Sequence, residues 1–183
     1  MKYATSLLLL SAIIALTGAG CEQAGLPVAS NWVPTDDPQV EPLLASKDSI
    51  LVGHVYVWEN EGNMYIRYAM DVTENGQWYL TECHADIANG YAAFPQAPNG
   101  ALIPGHFDYN VENLNDTLEY TFVAPVAAYH EVGTAIATHA YVGTEGAEET
   151  AWAGQEPFRG PRWGWWFWYP EEPPEGSRWT APD

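Results

Sequence analysis

Ile50-Leu51-Val52-Gly53-His54-Val55-Tyr56-Val57-Trp58-Glu59, Asn60-Glu61-Gly62-Asn63 and Met64-Tyr65-Ile66-Arg67-Tyr68-Ala69-Met70-Asp71 form one continuous stretch of two apolar-rich runs around a turn. Both runs alternate with a period of two, the repeat of a strand with one buried face, and the spacing predicts an antiparallel hairpin. Asn75-Gly76, a strong turn pair, leads into a further strand-like run from Trp78 to Ile87. Later strands are predicted at Leu118 to Ala124, Thr134 to Gly143 and Trp163 to Tyr169, each rich in β-branched or aromatic residues. Pro95 to Asp116 is rich in Pro, Gly and Asn and reads mostly as loop, long for a compact domain. Helical spacing is scarcely visible, and no internal repeat is evident. Antiparallel strands with one long crossover predict an all-β chain. Its expected architecture is a single antiparallel β-sandwich of jelly-roll or immunoglobulin-like type, over residues 48–170.

The N-terminal residues have a different character. Lys2 gives a positive start, Leu7 to Leu16 an apolar run, and Gly18-Ala19-Gly20 small residues just before Cys21. That pattern predicts a signal peptide over residues 1–20, because the run falls short of the roughly 20 apolar residues of a permanent membrane span. A cysteine directly after small residues resembles the lipobox of bacterial lipoproteins, in which the thiol is acylated and becomes the new N-terminus. Gly18 stands where that motif usually has a large aliphatic residue. Ordinary cleavage nearby, without a lipid, is the competing reading. Lipidation of Cys21 would place the protein at the cell envelope or extracellular surface, held to the membrane through its N-terminus. Residues 21–47, with Gly25, Pro27, Pro34, Asp36, Asp37, Pro38 and Pro42, read as a flexible tether, and residues 171–183 as a C-terminal tail.

The remaining cysteine, Cys83, is then unpaired, and within a strand it is expected to act as a small buried hydrophobe. Six Lys and Arg against 24 Asp and Glu give a formal net charge of −18, and loss of Lys2 makes the mature chain one unit more negative. Such a surface repels nucleic acid and anionic lipid. Between Arg67 and Arg159 there is no Lys or Arg, so carboxylates in that stretch must be solvated or share cations.

The runs Gly53 to Trp58, Asn63 to Tyr68 and Trp78 to His84 carry a resemblance, with Pro95-Gln96, Ile103 to Phe107, Ala137 to Ala140, Glu149 to Trp152 and Trp163 to Tyr169. Together they resemble a recurrent β-rich domain of secreted bacterial and archaeal lipoproteins and surface proteins, over nearly the whole of the domain. The resemblance implies an extracellular address and one domain. It implies no chemistry, since no activity is established for that family.

The sequence has no serine nucleophile elbow, paired-histidine zinc helix, phosphate-cradling glycine loop or metal-type cysteine cluster, which disfavours an enzyme. Glu82, His84 and Asp86 share one face of their predicted strand, and His139 lies on another beside Ala137 and Tyr141. His84 and His139, with Glu82 or Glu149, could ligate a transition metal; core or cross-strand packing of the histidines is the alternative. His54, His106 and His130 have no partner at informative spacing. Asp108, Asn110, Glu112, Asn113, Asn115 and Asp116 offer oxygens of the kind calcium takes but lack the spacing of an EF-hand, and these residues also make turns. In Trp163 to Tyr169, alternation sends large rings to both faces. Trp165 and Trp168 are therefore candidates for a contact surface toward a glycan, a protein or a lipid interface, burial under the tail being the alternative. Two functional readings follow: a noncatalytic surface-binding or structural module, and a metal-binding or metal-dependent extracellular protein.

Overall fold

The β-rich runs form strands because each alternates side chains between a sealed interior and an outer face. The structure, a computed structural model, describes residues 38–74, 76–126 and 134–170. The signal peptide, Cys21, most of the tether, His130 and the C-terminal tail lie outside the described residues. The strands are β1 (Gln39–Ala45), β2 (Ile50–Asn60), β3 (Asn63–Met70), β4 (Val72–Thr73), β5 (Gly76–Gln77) and β6 (Tyr79–Ala88), followed by β7 (Tyr109–Val111), β8 (Glu119–Pro125), β9 (Thr134–Thr144), β10 (Ala147–Ala153), β11 (Glu156–Pro157) and β12 (Trp165–Tyr169). Two short 3-10 turns, Tyr91–Ala93 and Pro104–His106, lie in the loop between β6 and β7. Among the described residues, no helix is long and apolar enough to cross a membrane.

Ten of the strands join one antiparallel sheet, while β4 and β5 form a separate small hairpin. The predicted hairpin of β2 and β3 is present, with Asn60 opposite Asn63 at its turn. From β3 the sheet continues to β8 on one side, and through β2, β1 and β10 to β9 on the other. β9 is the hub. Its other edge carries β6 and then β7, and β12 continues the β10 edge along Thr134 to Ile136. The two ends of this curled sheet meet where Leu80 and Thr117 exchange backbone hydrogen bonds of 2.8 and 3.2 Å. The all-β antiparallel class therefore stands. The two packed sheets of a sandwich do not emerge from the pairing, which runs continuously into a nearly closed, barrel-like sheet.

The tether ends earlier than the sequence suggests. Residues 39–45, read as part of it, form β1 between β2 and β10, with Leu43 and Ala45 fully buried. Pro42, which argues against a central strand, stands before the Leu43–Ala45 stretch that pairs with β10. Pairing on both sides and alternate burial override the weak local propensity.

The interior is one apolar cluster that includes Val55, Val57, Ile66, Tyr68, Leu80, Ile136, Val142 and Phe167. A second cluster lies outside the barrel. There the long loop after β6 lays Tyr91, Phe94, Leu102 and Phe107 over Ala135, Ala137, Trp152 and Trp166 of β9, β10 and β12. The loop is thus a packed outer layer, which accounts for its length. Gly154 lets the end of β10 approach β12 closely: its φ is +127°, and an added Cβ would run into the Trp166 carbonyl. Gly154→Ala is expected to destabilise the fold by about 1–3 kcal/mol, as strained non-glycine backbone does. An unchanged denaturation midpoint would refute this close approach.

Candidate functional site

Pairing of β6 with β9 sets His84 directly opposite His139, and the same register continues across β10, where Trp152 lies opposite His139. On the far side of β6, β7 places Asn110 opposite His84. Four outward-facing residues, Asn110, His84, His139 and Trp152, therefore form a row across four strands. Period-two alternation adds Glu82 to the face of His84, and Tyr141 and Thr150 to the faces of His139 and Trp152. Glu112, one residue beyond β7, shares parity with Asn110 and joins Glu82 and His84. Ligand-capable atoms of Glu82, His84 and Glu112 all lie within 4.8 Å of one another.

These side chains line a cleft of about 490 Å³ between the barrel wall and the outer layer. His84, His139, Glu82 and Glu112 line its polar part; Tyr141, Trp152, Phe158 and Trp163 supply aromatic surface, and Arg162 stands among them. The two Nδ1 atoms of His84 and His139 are 3.2 Å apart, and both side chains are buried. A hydrogen bond at that contact needs one nitrogen protonated and the other bare. Trp152 packs against the His139 ring at a centroid distance of 4.6 Å, and Tyr141 meets it edge-on at 5.0 Å.

Burial, and then the neighbouring His84, push His139 down to about 3. Burial also lowers His84, opposed by Glu112. Glu82 is raised by desolvation, by Glu112 and by Glu148. Asp86, on the same face but beneath the loop, accepts a hydrogen bond from the Ile87 amide and is pushed up to about 6, chiefly by burial. His54 lies apart and pairs with Asp71 at 3.0 Å.

The other residues singled out in the sequence fall elsewhere. Glu149 lies opposite Val142, whose side chain belongs to the barrel interior, so its parity is opposite to that of Trp152 and it does not join the histidines. In the loop proposed for calcium, Asn113 and Asp116 occupy turn positions with φ of 58° and 47°, while Glu112 points to the histidine cluster. Trp165 and Trp168 are both partly buried against the outer apolar cluster; Trp165 packs on Trp163 at 5.8 Å and Trp168 on Trp166 at 5.0 Å. Trp152, Trp163, Tyr141 and Arg162 were not among the sequence candidates. The register of β9 with β10 assembles Tyr141 and Trp152, whereas Arg162 and Trp163 come from the connection between β11 and β12.

No family model, no curated protein and no solved structure matches this chain.

Cys83 sits fully buried in the barrel interior, and burial pushes its thiol well above the ordinary range. It should be inert to thiol reagents at pH 8 in the native protein and react once unfolded. Rapid native labelling of Cys83 would contradict its placement.

Native His139 takes up its proton far below the usual value of about 6.5, so the unfolded chain is protonated first. Its effect is a loss of stability as pH falls from about 6.5 towards 3, at up to about 1.4 kcal/mol per pH unit. Asp86 acts in the opposite sense, since its native carboxyl is protonated before the unfolded one as pH falls through about 6. In chelator-treated protein, His139→Phe should flatten the decline of Tm between pH 7 and 4, and Asp86→Asn should steepen it. Parallel Tm profiles for parent and His139→Phe would remove His139 as the acid-sensitive group.

Proposed function

We propose that this protein is a lipid-anchored, noncatalytic binding module of the cell envelope, whose ligand is a glycan seated in the cleft over β6, β9 and β10. The observation that carries this reading is the composition of the cleft. Aromatic side chains stand beside carboxylates and an arginine in a depression of about 490 Å³. Sugar rings offer apolar faces to aromatic rings, while their hydroxyls donate to carboxylates and accept from guanidinium. Polyanionic ligands such as nucleic acid are disfavoured by a formal net charge of −18.

Trp163 is the contact residue in this reading, being half-buried and at the cleft wall, with Trp165 packed behind it. Trp165 and Trp168 then act chiefly as support for the neighbouring rings. The anchor rests on the signal-like segment ending at Cys21 and on the absence of a second cysteine able to pair with it other than buried Cys83.

Retention on a panel of insoluble neutral polysaccharides tests the binding function. The parent should be retained by at least one of them, and Trp163→Ala should lose retention with only a small change in Tm, as a contact residue rather than a core residue does. Equal retention of parent and variant, or no retention of the parent by any polysaccharide, would sink the glycan reading. Cys21→Ser should move the protein from the detergent phase to the aqueous phase. A variant that stays fully in detergent would end the lipid-anchor reading.

A further inference from the structure

We propose that the polar floor of the cleft is a site for a divalent transition-metal ion, with Glu82, His84 and Glu112 as ligands and His139 as the positioning residue behind His84. The site goes beyond the glycan reading and does not rest on it. Its donors come from two adjacent strands. Glu82 and His84 are two apart on β6, so both project outward, and Glu112 reaches them from the end of β7. Their ligand-capable atoms already lie within 4.8 Å of one another. Donors about 2.0–2.2 Å from a shared metal lie roughly 3–4 Å apart, so modest rotation of the carboxylates closes the set. Glu112 is exposed and Glu82 half-buried, which leaves both free to make that adjustment, whereas His84 is held in the sheet.

Three features favour a metal over a solvated cluster of acids. One donor is an imbedded imidazole only 4% exposed, a nitrogen ligand suited to zinc, cobalt, iron or copper rather than calcium, which takes six to eight oxygens. The two carboxylates lie in the long stretch without Lys or Arg, and among the described residues lining the cleft Arg162 is the one Lys or Arg side chain. His139, also 4% exposed, faces the same cleft and contacts His84 through Nδ1 at 3.2 Å. With its Nδ1 engaged there, His84 has Nε2 left as the ligating nitrogen. Metal binding selects the tautomer in which His84 donates its Nδ1–H to His139, the usual role of a partner behind a ligating histidine.

The test uses the full mature chain, stripped with a chelator and dialysed against Zn2+, with Co2+ as a spectroscopic probe. One Zn2+ per chain is expected, together with visible Co2+ absorption from mixed nitrogen and oxygen ligands. His84→Ala should weaken Zn2+ binding by at least about 100-fold, and Glu82→Gln and Glu112→Gln by about 10-fold or more each. The two Glu→Gln changes are at surface-accessible positions, so they remain informative if His84→Ala fails to fold. His139→Phe should cost about 10–100-fold, and His139→Gln, which retains an acceptor, should recover part of it and restore the Co2+ spectrum. Substoichiometric Zn2+ in the parent, unchanged affinity in both Glu→Gln variants, or Ca2+ displacing Zn2+ at equal concentration would overturn the site. Trp163-dependent polysaccharide retention by chelator-treated protein would survive that failure, which keeps the two readings separate.

Discussion

The register between β6 and β9 is the constraint on which the rest depends. Each strand places alternate residues inside and outside the barrel, so a slip of β6 by one residue against β9 would send His84 into the apolar interior and Cys83 outward. The native register seals Leu80, Cys83, Ala85 and Ile87 against Ile136, Ala140 and Val142, and the same alternation leaves the imidazoles on the outer face. The hydrophobic core thus decides the geometry of the polar site without touching it. A further link runs through the wall: the hydroxyl of fully buried Tyr68 donates to the His84 carbonyl at 2.6 Å. Burial, and after it the neighbouring Cys83, hold that phenol un-ionised.

The outer layer converts a barrel wall into a cleft. A bare strand face would leave the imidazoles open to water, with ordinary titration. The loop from Tyr91 to Phe107 and the aromatic residues of β12 surround that face with apolar mass, and Trp152 is shared between the layer and the polar row. Desolvation is accordingly the leading cause of the shifts at His84, His139, Asp86 and Glu82.

Much of the strand content was legible, because β2, β3, β6, β8, β9 and part of β12 carry period-two alternation in β-branched and aromatic residues. β1 and β10 were not. Gln39-Val40-Glu41-Pro42-Leu43-Leu44-Ala45 contains proline, and Ala147-Glu148-Glu149-Thr150-Ala151-Trp152-Ala153 is built largely of Ala and Glu, residues poor in strand propensity. β1 pairs with its sequence neighbour β2 and β10 with its neighbour β9, but their pairing with each other joins residues distant in sequence, as does the closure at Leu80 and Thr117 that distinguishes a curled single sheet from a sandwich. At the site, the shared faces of Glu82 with His84 and of His139 with Tyr141 could be read from alternation. The choice of Glu112 over Glu149 could not, since it depends on which strands become neighbours.

Near-closure of the sheet also governs how the molecule behaves in a crowd of its own copies. An open antiparallel sheet exposes rows of unsatisfied amides and carbonyls at its margins, each a template for another chain. Here the terminal strands are short, three residues in β7 and two in β11, and the longer β8 begins at Glu119 and ends at Pro125. A charged side chain and an imino acid at the ends of that margin, beside a seam already satisfied by Leu80 and Thr117, discourage strand addition. At high local concentration the chain can therefore display an aromatic cleft while its backbone offers little purchase for fibrillar association.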